Sequence, residues 1–267
     1  MKKSIVPAGV LSAAESNLSE LRKNLYPGRL IIAGLNDSGK CLIQVYAILG
    51  RSENSRNRVL EADEGRLFTE TADPSKVKDP SLIIYNAMDE TLMPDDTAAY
   101  VVSNGHQTDH VRQAYFNGET FNGAMQSSEP EPGKQNVTEY EPDKPNFTPR
   151  ITAVSSWVKG KPRIEMGILR KSPWSDACDR HLYEMNDMGK GFGYCLTTYM
   201  GDGDPLPAFQ GEPYLLPLGG DANFIAGTYW DALNADNRVS LAVKFIPKEG
   251  PPEIVIINKY SKVASST

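Results

Sequence analysis

Two apolar runs set the pattern of the chain, Arg29–Leu35 and Cys41–Leu49, separated by Asn36-Asp37-Ser38-Gly39. Runs of this length around residues that accept a positive φ read as the strands of a hairpin. A second hairpin is expected from Arg58–Ala62 and Arg66–Thr71 around Asp63-Glu64-Gly65, with further strands over Leu82–Tyr85 and Ala98–Ser103. The spacing of apolar positions then changes, and Gln107–Tyr115 and Glu119–Gln126 read as helices. Strands resume at Ile151–Trp157 and Arg163–Leu169 around Lys159-Gly160-Lys161-Pro162, followed by strands over Arg180–Met185 and Phe192–Tyr199 and a Gly/Asp/Pro loop over 201–213. A helix from Asp221 to Leu233 and two strands, Val239–Ile246 and Glu253–Asn258, close the pattern. Near the start, Ser16 caps a short helix that ends at Pro27-Gly28.

Strand pairs stand on both sides of the helical pairs, without regular strand–helix alternation, so antiparallel sheets covered by helices are favoured over a doubly wound parallel sheet. Residues 127–149 are rich in Pro, Glu, Asn and Lys and read as a long exposed connection inside one domain. The expected organisation is an N-terminal extension over 1–27, a single domain over 28–260 with an exposed insertion near 127–149, and a tail over 261–267.

Composition narrows the function. No apolar run is long enough to span a bilayer, and the first residues make only a weak signal-peptide pattern, broken by Pro7 and Gly9. Three cysteines without paired spacing argue against a disulfide framework or a zinc site, so a cytoplasmic protein is expected. The net charge of −6 disfavours nucleic acid as a partner but leaves room for a small anion held by a local arginine cluster.

Such a cluster follows the second strand, where Arg51, Arg56 and Arg58 are interleaved with Ser52, Asn54 and Ser55. Guanidinium forks match phosphate oxygens, although the same composition suits a solvated loop. Tyr85-Asn86 and Ser103-Asn104-Gly105 end apolar runs, the latter leading through Thr108 and Asp109 into a helix, where polar groups serve either an oxyanion or ordinary capping. His106 and His110 share a helix face without a third metal ligand, and neither glycine-rich stretch (189–193, 201–205) has nucleotide-loop spacing. Neither a metal nor a cofactor is expected.

Taken in order, Gly28-Arg29, Arg51-Ser52 with Arg56, Tyr85-Asn86, Ser103-Asn104-Gly105 with Thr108-Asp109, and Thr148-Pro149-Arg150 resemble the motif series of the archaeal-type IMP cyclohydrolases and their bacterial relatives. The likeness covers roughly residues 28 to 258; Thr197-Thr198-Tyr199 and Gly211-Glu212-Pro213 look closer to the bacterial branch. It implies an α+β fold, a four-layer αββα sandwich of the N-terminal-nucleophile hydrolase type with two antiparallel sheets between helical layers. It also implies a metal-independent hydrolase of purine biosynthesis, closing 5-formamidoimidazole-4-carboxamide ribotide (FAICAR) to IMP. The first hairpin begins near residue 28, so without cleavage no Ser, Thr or Cys offers its own free amine as base.

On this resemblance the catalytic set is Tyr85, Asn104, Asn86 and Arg51. The substrate-binding set is Ser52, Arg56, Ser103, Gly105, Thr108, Asp109, Thr148 and Arg150. The partner is a purine ribonucleotide, with no nucleic acid or membrane, and a homo-oligomer is compatible with the sequence. A non-catalytic purine-nucleotide-binding protein and an amide hydrolase on the same fold are the alternatives.

Overall fold

The computed structural model describes residues 7–77, 84–126 and 136–262. Five α-helices and thirteen strands are assigned within them. Helix α1 (Ala8–Lys23) leads into β1 (Arg29–Leu35) and β2 (Cys41–Leu49); after α2 (Glu53–Arg56) come β3 (Val59–Asp63), β4 (Arg66–Glu70), β5 (Asn86–Leu92) and β6 (Ala98–Ser103). Helices α3 (Gln107–Phe116) and α4 (Phe121–Ala124) precede β7 (Arg150–Val158), β8 (Lys161–Lys171), β9 (Cys178–Met185), β10 (Phe192–Thr197) and β11 (Tyr214–Pro217). Helix α5 (Ala222–Ala232), β12 (Arg238–Pro247) and β13 (Glu253–Asn258) complete the order.

The strands form two antiparallel sheets, β11-β10-β1-β2-β12-β13 and β3-β4-β5-β6-β7-β8-β9. Every residue of β1 is buried, which explains its unbroken apolar run: both faces of the strand are covered. Ile31, Ala33 and Leu35 point into the core between the sheets, while Leu30 and Ile32 point into a second core beneath α1 and α5. In the other sheet Val102, Ile151 and Met166 face the shared core, and Val101, Val154 and Leu169 face a third core under α3 and α4. These layers are the αββα sandwich that the resemblance implied. Each buried Leu or Ile contributes about 1.5–3 kcal/mol relative to exposure.

Several elements differ from the sequence reading. The first helix starts at Ala8 rather than Ser16, and it packs onto the sheet through Leu18 and Leu21, with Asn17 donating to the Leu215 carbonyl. The strand expected over Leu82–Tyr85 lies in part outside the described residues, and the observed strand starts at Asn86, where that one was to end. Its Asp89-Glu90-Thr91 stretch disguised it; Asp89 pairs with Arg112 at 3.2 Å, and Glu90 with a buried lysine from the facing sheet. Helix α4 is shorter than expected, and the edge strand β11 lies between the expected loop over 201–213 and the expected helix from Asp221, where no element was assigned. Residues 136–149 carry no helix or strand, yet they are not simply exposed: Thr138, Glu141 and Thr148 are buried.

Candidate active site

The start of β1, the end of β2, the approaches to β3 and β7, and the end of β10 converge at one end of the sandwich. They enclose a cavity of about 280 Å³ bordered by Tyr26, Arg29, Arg51, Ser52, Asn54, Ser55 and Arg58 on one side and by Glu141, Asp143, Asn146, Thr148, Tyr199 and Leu206 on the other. Gly28 lets the chain enter β1 here: its φ is +76°, and a Cβ would stand 2.2 Å from Thr198 Oγ1.

The electrostatics are set by arginines in two states. Arg51, at the mouth, is bound by Asp202 and the Gly203 carbonyl and lies over the Tyr26 ring. Arg150 is buried beside Glu141 at 3.7 Å and donates to Gln107 at 3.1 Å. Burial lowers its pKa, while Glu141 offsets that effect. Arg29 and Arg58 are different: each is more than nine-tenths buried, and among the described residues neither makes an ion pair. Arg29 Nε and Arg58 Nη1 have no hydrogen-bond partner. Burial, and next the charge on Arg29, lower the Arg58 guanidinium to about 10, so it is still cationic at neutral pH. Against burial, nearby tyrosine hydroxyls and Glu141 nevertheless raise the Arg29 pKa, so what the two cations lack is an ion pair of their own; at such depth that leaves a cost of several kcal/mol that a bound anion would relieve.

The acidic wall is equally specific. Both carboxylate oxygens of Asp143 are occupied, accepting from Thr148 N at 2.6 Å and Thr148 Oγ1 at 2.5 Å, and Thr148 also meets the Tyr199 hydroxyl. Among the described residues the Glu141 carboxylate has long contacts, to Arg150 at 3.7 Å and to Asn104 Nδ2 at 3.5 Å. Burial raises its pKa against the pull of Arg150, Arg29 and Arg58.

Of the residues named from the sequence, Arg51, Ser52 and Thr148 border the cavity. Ser52 caps α2 by accepting from Ser55 N at 3.1 Å. Tyr85 stands behind the wall, its hydroxyl 2.6 Å from that of Tyr46. Arg56 turns away, donating to the Gly50 carbonyl and Asn237, and borders a separate cavity with Asp73, Lys76 and Tyr260. Asn86 donates to Asp109 at 2.8 Å, away from the cavity lining. Asn104 is fully engaged: Oδ1 accepts from Ile151 N and Gln107 Nε2, and Nδ2 donates to the Pro149 carbonyl and Glu141. It holds the acidic wall in place and has no hydrogen-bonding capacity left for a ligand. Ser103 and Thr108 bond each other at 2.5 Å below that turn, and a Cβ on Gly105 would meet Arg150 Nη1 at 2.7 Å.

Arg29, Arg58, Glu141 and Asp143 were not among the nominated site residues. Arg29 and Arg58 were visible in the motifs, but which arginine turns inward depends on strand register. Glu141 sat in the segment read as an exposed connection.

A two-sheet α+β sandwich with an arginine-lined cavity at the ends of its strands is thus the class of molecule. Residues 26–250 match the sequence model of the family described as IMP cyclohydrolase-like protein, and the chain belongs to that family. No curated protein matches it. Among the described residues no helix is long and apolar enough to cross a membrane.

Proposed function

We propose that this protein is an IMP cyclohydrolase, closing the formylated carboxamide ribotide FAICAR to IMP with loss of water. The observation that carries the reading is the pair of buried guanidiniums of Arg29 and Arg58, neither in an ion pair among the described residues, in a cavity that also holds the carboxylate of Glu141. A phosphomonoester dianion neutralises two cations, and the family membership supports a purine ribonucleotide as its bearer.

In this reading Arg29 and Arg58 hold the phosphate, joined by Arg51 once it leaves Asp202. Ser52, Asn54 and Ser55 supply further polar contacts from the α2 segment. The carboxamide nitrogen attacks the formyl carbon while Glu141 accepts one carboxamide proton and Tyr85, from behind the cavity lining seen without ligand, gives its proton to the formyl oxygen. The resulting hydroxyl leaves as water with the proton returned by Glu141, and the proton of the 5-formamido nitrogen restores Tyr85. Atoms balance as FAICAR to IMP plus water. Because both reacting groups belong to one molecule, holding them in an attack pose supplies up to about 7–11 kcal/mol of the acceleration.

The test is incubation of the pure protein with FAICAR, following IMP by absorbance and chromatography. Turnover that depends on Glu141 and Arg58 supports the reading. IMP binding without turnover would convert it to that of a nucleotide-binding protein, and neither binding nor turnover would discard both.

A further inference from the structure

Tyr46, on β2, is fully buried between the sheets, and its hydroxyl has one hydrogen-bond partner among the described residues, the hydroxyl of Tyr85 at 2.6 Å. Tyr85 likewise has no other partner for its hydroxyl among them. In a bond between two phenols one oxygen donates and the other accepts. Leaving a buried O–H without an acceptor is costly, and for Tyr46, at 0% exposure, the Tyr85 oxygen is the available acceptor. Tyr85, at 5% exposure, is the less deeply buried of the two. The direction of the bond follows: Tyr46 donates, Tyr85 accepts, and the Tyr85 proton is left for a ligand or water.

The surroundings of the Tyr85 ring favour that arrangement. Arg29 from β1, Arg58 ahead of β3 and Arg150 from β7 act on it electrostatically, and His106 ahead of α3 meets its ring edge-on at 6.2 Å between centroids. Arg29 and Arg58 act on Tyr46 as well, while Arg150 is added at Tyr85, so the balance of positive charge favours the Tyr85 oxygen as the acceptor. Burial, and next the Tyr85 hydroxyl beside it, push the Tyr46 phenol well above the ordinary tyrosine range, which keeps it protonated as a donor.

We propose that Tyr46 is a positioning residue for the reaction, directing the Tyr85 proton toward the ligand and holding the Tyr85 oxygen through a donated hydrogen bond as that proton leaves. The role rests on the cyclisation reading, in which Tyr85 delivers its proton to the formyl oxygen as the new C–N bond forms. Tyr46 touches no reacting atom; it acts through Tyr85 alone.

The test uses the full chain carrying 13C at tyrosine Cζ, with the Tyr85 resonance assigned by its loss in Tyr85→Phe. Removing the donor in Tyr46→Phe should shift the Tyr85 Cζ resonance, because that resonance reports the hydrogen bonds of the phenol oxygen and the accepted one is lost. In FAICAR cyclisation the same variant should lose about tenfold in kcat with KM within twofold. The double variant Tyr46→Phe/Tyr85→Phe should be no slower than Tyr85→Phe, since the two residues act as one unit. An unmoved Tyr85 resonance, or additive losses in the double variant, would overturn the proposal. If the resonance moves as expected but the wild-type chain turns over no FAICAR, the Tyr46–Tyr85 hydrogen bond stands and the cyclisation reading falls.

Discussion

Removing one guanidinium from an unneutralised buried pair relieves the repulsion and desolvation carried by the other, so Arg58 should respond to substitution unlike a surface arginine. Arg58→Met should leave the ligand-free protein melting no lower than wild type, since the lost bond to the Ser55 carbonyl is offset by relief of a buried charge. The same variant should weaken IMP binding by roughly 10–100-fold, the loss of a charge-assisted contact of about 1.5–3 kcal/mol. Melting curves with and without IMP check both halves. Glu141 offers the opposite contrast. Glu141→Gln should lower kcat by about 10²–10⁴-fold while IMP binds as well or better, because an anion next to the phosphate site is gone. Ionised Glu141 is the form that accepts a proton, and its pKa is raised by burial, so the acid limb of the wild-type rate profile should lie above the ordinary glutamate range and disappear in the variant. The same shift has a signed effect on stability. A raised folded-state pKa means the fold binds this proton more tightly than the unfolded chain, so the stability that Glu141 contributes is present at low pH and lost as pH rises through that value.

At the scale of elements, the cavity is roofed by two irregular segments clasped to each other and to the end of β2. Leu206 N donates to Asn146 Oδ1 at 3.0 Å, and Asp202 holds Arg51 from the same loop. That loop is anchored at its far side by Arg170, which donates to the Phe209 carbonyl at 2.8 Å. Asp202 occupies a cation that an incoming phosphate would also use. Asp202→Asn should therefore tighten IMP binding, but only by a few-fold, because both partners are about two-fifths exposed and solvent screens the pair. Calorimetric titration with IMP reads this directly; weaker binding in the variant would show that Asp202 supports the ligand instead of competing with it. The elements beneath the roof were mostly legible from the chain. The hairpins β1–β2 and β7–β8 and the strand β6 matched their apolar runs because each of those strands buries apolar residues that no other arrangement would cover. Strand β5 was not legible, since its Asp89 and Glu90 are satisfied by Arg112 and Lys244 from other elements.

For the whole molecule, the question is what keeps two sheets in register when their shared core is largely apolar. Polar ties cross the interface at chosen points. Lys244 of β12, fully buried, donates to the Gly65 carbonyl and to Glu90, both at 2.8 Å, and Gln44 of β2 donates to the Tyr100 carbonyl. Asn258 of β13 pairs with both backbone groups of Leu60 on β3, joining an edge strand of each sheet. Glu90→Ala should cost about 3 kcal/mol by stranding a buried ammonium on one carbonyl, with a fall in melting temperature. IMP affinity should be unchanged, since Lys244 sits opposite Gln44, at the end of β2 remote from Arg51.

By itself the sequence determined most of the order of strands and helices, the antiparallel class of the sheets and the family, because those depend on local periodicity and on short motifs in fixed order. It also placed Arg51, Ser52 and Thr148 at the cavity. Only the tertiary structure decided that Arg29 and Arg58 turn inward without an ion pair among the described residues, that Asn104 spends all its hydrogen bonds on the scaffold, and that Arg56 faces elsewhere. The same holds for Glu141, drawn from a proline-rich segment against Arg150. The physical reason is common to all four. A polar side chain's role depends on burial and on partners more than a hundred residues away or on another strand, and neither is written in its neighbours along the chain.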